Sequence, residues 1–302
     1  MRLNYIYIFV GFLIVVLLGY VSNRVLNRVS NSNVEHFDGD MEFKDCETPV
    51  DIYDGFYSKI NDELFLSKAR NQFEVIQVRT NTIKPFKGKI NILDLGCGVG
   101  HQVKLFNDFK YNVSGVDVSK NMIARAKTTY PLLQFKTGDM MEPGLYEPRQ
   151  FSHITCFFFS IYYIEEPRIV FQNANRWLKD DGYFIVHLVD KRKFDPVLER
   201  SSSLLPLYNP QKHSRKTRTS LKFNKFDYLA DWNLKSNPVT FSEVFKFDNG
   251  KVRKNTHSLY MYTMKKYSKI ANECGFELTQ TVDMAVVNHP FNYLFCFKKK
   301  FG

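Results

Sequence analysis

The run Ile92-Leu93-Asp94-Leu95-Gly96-Cys97-Gly98-Val99-Gly100 constrains this 302-residue chain more than any other stretch. An apolar segment of strand character enters three glycines at alternate positions, and a helical pattern follows from Gln102. Glycine is required where the backbone takes unusual dihedrals or a ligand approaches it closely. The spacing is G-x-G-x-G and differs from the G-x-G-x-x-G of pyrophosphate-binding dinucleotide folds.

Around this turn, apolar runs alternate with helical stretches, which is the pattern of βαβ units and a parallel sheet. The strands are expected at Ile90–Leu95, Tyr111–Val116, Leu133–Thr137, His153–Phe158 and Tyr183–Val189, and the helices at Gln102–Phe109, Ser119–Lys127 and Pro167–Leu178. Before them, Phe56, Ile60, Leu64, Phe65, Ala69, Phe73 and Ile76 recur at helical spacing, so residues 51–78 read as one or two amphipathic helices. After Asp190 the alternation stops. Residues 221–262 read as antiparallel strands, clearest in the hairpin Val239–Phe247, turn Asp248-Asn249-Gly250, Lys251–Met261. Helix Lys265–Cys274 and strands Phe276–Asp283 and Tyr293–Lys298 close the chain.

With the order of elements in view, residues 89–190 resemble the class I S-adenosylmethionine-dependent methyltransferases, in particular the small-molecule methyltransferase-domain group of types 11 and 25. The resemblance implies a Rossmann-like methyltransferase fold: a mostly parallel seven-stranded sheet with an antiparallel β insertion. It implies S-adenosyl-L-methionine as cofactor, the glycine turn Gly96, Gly98 and Gly100 with Asp94 accommodating its amino-acid end. Asp117, ending the second strand, would accept hydrogen bonds from the ribose hydroxyls; an N-cap for the following helix is the bland alternative. Met122 falls where relatives place an apolar residue against adenine, and Gly138-Asp139-Met140 where an acid meets the adenine amino group. Leu178-Lys179-Asp180-Asp181-Gly182 matches the family's pattern of a leucine and basic residue before a glycine turn at the entry to the fifth strand. Phe151-Ser152 and Phe157-Phe158-Phe159 depart from its fourth.

A sulfonium methyl is already activated, so alignment and exclusion of water are the main demands on such an enzyme. Where the acceptor must lose a proton, Tyr57, His101 and His187 are the candidate bases. Tyr53-Asp54-Gly55-Phe56-Tyr57 is similar to an aromatic-acid segment that folds over the cofactor in many small-molecule members. Residues 191–262 stand where those members carry an antiparallel lid over the acceptor pocket, with Tyr228, Trp232, Phe241, Phe245 and Tyr260 as its expected apolar lining. A small molecule or lipid is the expected acceptor. Protein or RNA methylation and cofactor binding without catalysis are the rival readings, and Phe157-Phe158-Phe159-Ser160 lacks the Asn or Asp-Pro-Pro-aromatic run of enzymes that methylate nucleic-acid or glutamine amino groups.

Charge and hydropathy add partners. Residues 191–270 hold 18 Lys or Arg against 6 Asp or Glu, more than the whole chain's net +11. The run Lys212-His213-Ser214-Arg215-Lys216-Thr217-Arg218 suits anionic lipid or nucleic acid. Tyr5–Val21 carries no charge and reaches roughly 25 Å as a helix, just enough to span a membrane. Residues 1–22 are therefore expected to be a single-pass anchor, since Gly19-Tyr20-Val21-Ser22 is a poor signal-peptidase site. Residues 23–48 are expected to be a flexible linker, and 49–302 the methyltransferase domain, with a cofactor-binding core at 86–190 and a basic lid at 191–262. Arg2, Arg24 and Arg28 barely orient the anchor; a cytosolic cofactor favours a cytoplasmic catalytic domain. The five cysteines form no C-x-x-C pair, so neither a metal site nor a disulfide framework is expected.

Overall fold

The computed structural model describes residues 43–196 and 217–300. The expected anchor, all but the last few residues of the expected linker, and the basic residues 212–216 lie outside the described residues. Among those described, no helix is long and apolar enough to cross a membrane.

Folding begins earlier than expected. Residues Phe43–Cys46 form strand β1 within the region anticipated as linker, paired in parallel with Val252–Asn255. Period-2 hydropathy is too short to detect over four residues, and the strand exists because a distant edge receives it. Helices α1 (Pro49–Ile52), α2 (Gly55–Phe65) and α3 (Lys68–Val78) follow. Each has a side-chain cap: Thr48 accepts from Asp51 N–H, Asp54 from Tyr57 N–H and Ser67 from Arg70 N–H.

The alternating region then supplies β2 (Asn91–Leu95), α4 (His101–Asp108), β3 (Asn112–Asp117), α5 (Lys120–Thr129), β4 (Gln134–Thr137), β5 (Phe151–Cys156), α6 (Pro167–Trp177) and β6 (Leu178–Val189). After the insertion come α7 (Met264–Glu273), β11 (Phe276–Asp283) and β12 (Asn292–Lys299). With the four insertion strands β7 (Arg218–Lys222), β8 (Phe226–Asn233), β9 (Val239–Phe247) and β10 (Val252–Leu259), two sheets form. One is the seven-stranded β11-β12-β6-β5-β2-β3-β4, parallel except that β12 runs against both its neighbours. The other is β1-β10-β9-β8-β7.

Side chains alternate across the larger sheet, so adjacent residues serve opposite layers. Ile185 and Cys296 join Val75, Val78, Val103, Phe106, Ile123 and Ala126 from α3, α4 and α5 in one core. Phe184 and Phe297 instead meet Phe171 of α6, with ring centroids 5.1 and 5.6 Å away. The sheet is thus covered on both faces, as a mostly parallel sheet requires.

Two local expectations fail for identifiable reasons. Strand β5 stops at Cys156, because Phe157-Phe158-Phe159 turns away and Phe158 takes φ +49°. The Arg70 guanidinium lies 4.1 Å over the Phe158 ring, and it is tertiary packing of this kind that hydropathy cannot register. At the other end, Lys179-Asp180-Asp181-Gly182 is no turn before β6 but lies inside it, where the pairing register with β5 shifts and Asp181 takes φ +60°.

Candidate active site

The strand order reverses between β2 and β5, and in open α/β sheets the crevice at the carboxyl ends of such strands receives ligands. A cavity of about 690 Å³ lies here. It is lined by the loops after β2, β3, β4 and β5 on one side and by residues of the five-stranded sheet on the other.

The glycine turn divides its labour. Gly98 (φ +53°) has nothing within 4 Å of where a Cβ would stand, so it leaves an open cradle on the cavity. Gly100 (φ +88°) is the N-cap of α4, and a Cβ there would come within 2.6 Å of the Phe135 ring. Its Cα–H side faces the core, Gly100 does not line the cavity, and its hydrogen side chain is needed for packing. Gly96 lines the cavity and is pressed against Ser160.

Asp117 is positioned by backbone. Gly98 N–H donates to Oδ2 at 2.9 Å and Ser119 N–H to Oδ1 at 2.8 Å. Burial raises its carboxyl, and these two hydrogen bonds oppose the rise. The cap of α5 is not Asp117 but Ser119, whose hydroxyl oxygen accepts from Met122 N–H at 3.1 Å. Asp117 is therefore free of the cap role and lines the cavity with unused lone pairs. Met122, buried, lines it too, as do Asp139 and Met140. Asp139 also accepts from Met141 N–H at 2.9 Å, which fixes its loop. Asp94 sits 2% exposed at the floor, accepting from the Thr155 hydroxyl at 2.7 Å, and burial pushes its pKa up to about 7.

Of the expected bases, only Tyr57 and His101 line the cavity. His101 is held between the Tyr130 hydroxyl (2.9 Å) and Asp62 (2.8 Å). The Tyr57 hydroxyl donates to Glu243 Oε1 at 3.0 Å, and burial with the Glu243 charge raises its pKa far above ordinary tyrosine. His187 is displaced from the site: 1% exposed, it packs beside Glu74 (3.2 Å) and Asn292 (3.0 Å) within β6 and its surroundings. His187 follows β6's inward alternation, which a lone histidine in an apolar strand does not disclose.

The expected lining of the second sheet holds in part. Trp232 and Phe241 line the cavity, stacked at 4.3 Å between centroids. Phe245 and Tyr228 pack together at 5.2 Å, Phe245 also against Phe56, and neither lines the cavity; nor does Tyr260. Within reach of the basic run, Arg218 pairs with Asp231 at 3.3 Å, so part of that charge is engaged within its own sheet.

A polar network beneath this sheet has no counterpart in the expectations. Glu243, fully buried, accepts from the hydroxyls of Tyr57 (3.0 Å) and Tyr228 (2.7 Å) at Oε1. Its Oε2 contacts Asn255 Nδ2 at 3.0 Å and His257 Nε2 at 2.8 Å. Burial would raise the Glu243 carboxyl, but His257, Asn255 and Tyr228 together hold it below the ordinary value. His257 Nδ1 lies 2.6 Å from the Tyr163 hydroxyl, which lies 2.8 Å from that of Tyr53. Arg253, buried on the same face, donates from its Nη1 to both Asp54 oxygens at 2.8 and 2.9 Å and from its Nε to Asn255. The available signal was period two: Arg253, Asn255, His257 and Leu259 are buried while Lys254, Thr256 and Ser258 are not.

Comparison with known proteins agrees with this architecture. Residues 93–186 match the family profile described as a methyltransferase domain. The (+)-O-methylkolavelool synthase of Herpetosiphon aurantiacus is 25% identical over 48% of this chain and 52% of its own length. The chain spans about half the length of the first curated relatives it matches. An S-adenosylmethionine-dependent methyltransferase from Clostridium acetobutylicum superposes with a TM-score of 0.61 at 19% identity, over 82% of this chain and 97% of that one. The sugar N-methyltransferase KedS8 from a Streptoalloteichus species superposes at 0.57, with 17% identity, over 89% and 98%.

Proposed function

We propose that this chain, which belongs by its domain and fold to the class I S-adenosylmethionine-dependent methyltransferases, transfers a methyl group to a small molecule enclosed beneath its five-stranded sheet. One observation carries the reading: a single cavity joins the glycine turn, Asp117 and Met122 to an aromatic chamber of Tyr53, Tyr163, Trp232 and Phe241. KedS8 is a sugar N-methyltransferase, and the Herpetosiphon relative is named for an O-methyl product; both names are in keeping with a small acceptor.

The residues fit the cofactor. Gly98 leaves backbone open to a ligand, Asp117 keeps lone pairs for two hydroxyls, and Met122 offers an apolar surface. The raised Asp94 carboxyl suits a site whose ligand brings its own positive charge. When bound, the cofactor supplies an activated methyl group. The protein's part is to orient the acceptor against it and to exclude water, and the stacked Trp232 and Phe241 and the Phe158 turn wall off the chamber.

The uncharged run Tyr5–Val21 supports attachment of the domain to a membrane, and a cytosolic cofactor favours catalysis on the cytoplasmic side. Resistance of the full-length chain to alkaline carbonate extraction is the expected result, and complete release would remove the anchor from this reading. For the enzyme itself, methyl-labelled cofactor is incubated with fractionated small-molecule, lipid, protein and RNA extracts. Label is expected in the small-molecule fraction; label confined to RNA or protein overturns the acceptor class.

A further inference from the structure

Hydrogen-bond direction in the buried network is set outward from the Glu243 carboxylate. Glu243 is surrounded by four groups, Tyr57, Tyr228, Asn255 and His257, two on each oxygen. A carboxylate can only accept, so all four must donate, and His257 carries its proton on Nε2. In the neutral ring its Nδ1 is then an acceptor, and the Tyr163 hydroxyl must donate to it. Having spent its one proton there, Tyr163 must accept from the Tyr53 hydroxyl. Tyr53 in turn points its proton inward, leaving its oxygen lone pairs as the outer end of the chain. Tyr53 and Tyr163 line the cavity, while His257 and Glu243 lie behind them.

From this geometry we infer that Tyr53, Tyr163, His257 and Glu243 form a proton relay serving the acceptor, and that the acceptor presents a hydroxyl or amine N–H to the Tyr53 oxygen. The inference rests on the methyltransferase reading and deepens it. As the acceptor's O or N lone pair bonds the methyl carbon, the carbon–sulfur bond breaks with its electron pair onto sulfur. The acceptor's proton passes to Tyr53, that of Tyr53 to Tyr163, and that of Tyr163 to His257 Nδ1. Both tyrosines are neutral before and after, which suits phenols whose pKa burial holds well above the ordinary value. The new charge rests on an imidazolium beside the Glu243 carboxylate, the pairing that makes a histidine an effective base. When His257 is doubly protonated every donor in the chain reverses, and Tyr53 then offers a proton outward; the relay returns it to solvent or product. Tyr53 is the group that touches the acceptor; Tyr163, His257 and Glu243 act through it.

The groups facing His257 are Glu243 from β9, Tyr163 from the turn after β5, and Tyr53 and Tyr57 from the amino-terminal segment; Phe241 stacks on its ring at 4.8 Å. The Asp54–Arg253 pair reaches it through Asn255 and then Glu243. Full-length protein with ¹⁵N-labelled histidine tests the chain directly. In the neutral ring the His257 signals, assigned by their loss in His257→Gln, are expected to show a protonated Nε2 and a bare Nδ1 whose shift moves in Tyr163→Phe. A protonated Nδ1 in the neutral ring overturns the relay whatever the acceptor.

The second arm measures methyl transfer to an amino sugar, a terpenoid alcohol and a phenol. Tyr163→Phe and Tyr53→Phe should lower kcat about 100-fold at neutral pH, within the usual range for loss of a positioned base, and flatten the wild-type rise of rate with pH. Affinity for S-adenosylhomocysteine, read by calorimetry, should stay within about twofold, since neither hydroxyl touches the glycine turn. A Tyr163→Phe enzyme that keeps the wild-type rate and pH profile also overturns the inference. Failure of the wild type to bind S-adenosylhomocysteine sinks the methyltransferase reading by itself, and the imidazole spectrum still decides the relay.

Discussion

At the glycine turn the backbone holds the side chain: amides of Gly98 and Ser119, 19 and 2 residues away, fix Asp117. Beneath the five-stranded sheet, side chains hold one another across the chain, as when Tyr57 reaches Glu243, 186 residues away. The first arrangement leaves one face open to a ligand and depends little on what the ligand is. The second is saturated around Glu243 and meets the cavity at Tyr53 and Tyr163, so a change in any member is felt by the rest. A cofactor common to many enzymes suits the former, and an acceptor peculiar to one suits the latter.

The sharpest way to break this contrast is Gly98→Arg. A long side chain at φ +53° projecting into the cradle should reduce S-adenosylhomocysteine affinity by about 1000-fold or more, roughly 4 kcal/mol, in a protein that still melts cooperatively. Unchanged affinity in titration calorimetry would take the turn out of the site. Glu243→Ala should do the reverse. It leaves four buried donors without their acceptor and should cost about 3–5 kcal/mol of stability, seen as a lower urea midpoint. A midpoint unchanged from wild type would show that the network is not what closes the sheet.

Why one half is legible in the amino-acid order and the other is not follows from these distances. Asp94, Gly96, Gly98 and Asp117 lie within 24 residues, on successive strand ends whose order the hydropathy pattern reveals. The same locality gave β2 to β6 to within a few residues, except where Phe157-Phe158-Phe159 imitates a strand and where β6 begins before its glycine. Glu243 and His257, by contrast, look like solvated residues of a polar hairpin. Their burial depends on packing by Tyr57 of α2 and by Tyr163 from the turn after β5, and the period-two pattern of β10 is the one local trace of it. Strand β1 was missed for the same reason, since its partner lies more than 200 residues onward.

Two smaller effects sharpen the comparison on the cofactor side. Asp117→Ala should weaken cofactor binding by about 1.5–3 kcal/mol through lost hydrogen bonds to a charged group. With Ser119 as the cap, the melting temperature should fall less than for Ser119→Ala; the opposite ranking would return Asp117 to a structural role. The smallest effect is in pH. Because burial lifts Asp94 to about 7, its carboxyl is largely protonated at pH 6 and ionised at pH 8. A cofactor bearing an ammonium group prefers the ionised form, so affinity should rise by up to about tenfold from pH 6 to 8, with proton release near pH 7. Calorimetry in buffers of different ionisation enthalpy measures that release, and its absence would separate Asp94 from the cofactor's charge.

Tyr53 touches both halves at once. Its carbonyl accepts from the Ser119 hydroxyl at the cofactor end and its own hydroxyl meets Tyr163 at the acceptor end. Next to it, Asp54 is clasped by Arg253 and Lys44, so the segment is bolted to the edge of the smaller sheet. Lifting these few residues severs both sets of contacts together. One short segment thus ties the two ends of the cavity together, and neither end can lose its contact with the Tyr53 backbone or ring without straining the other.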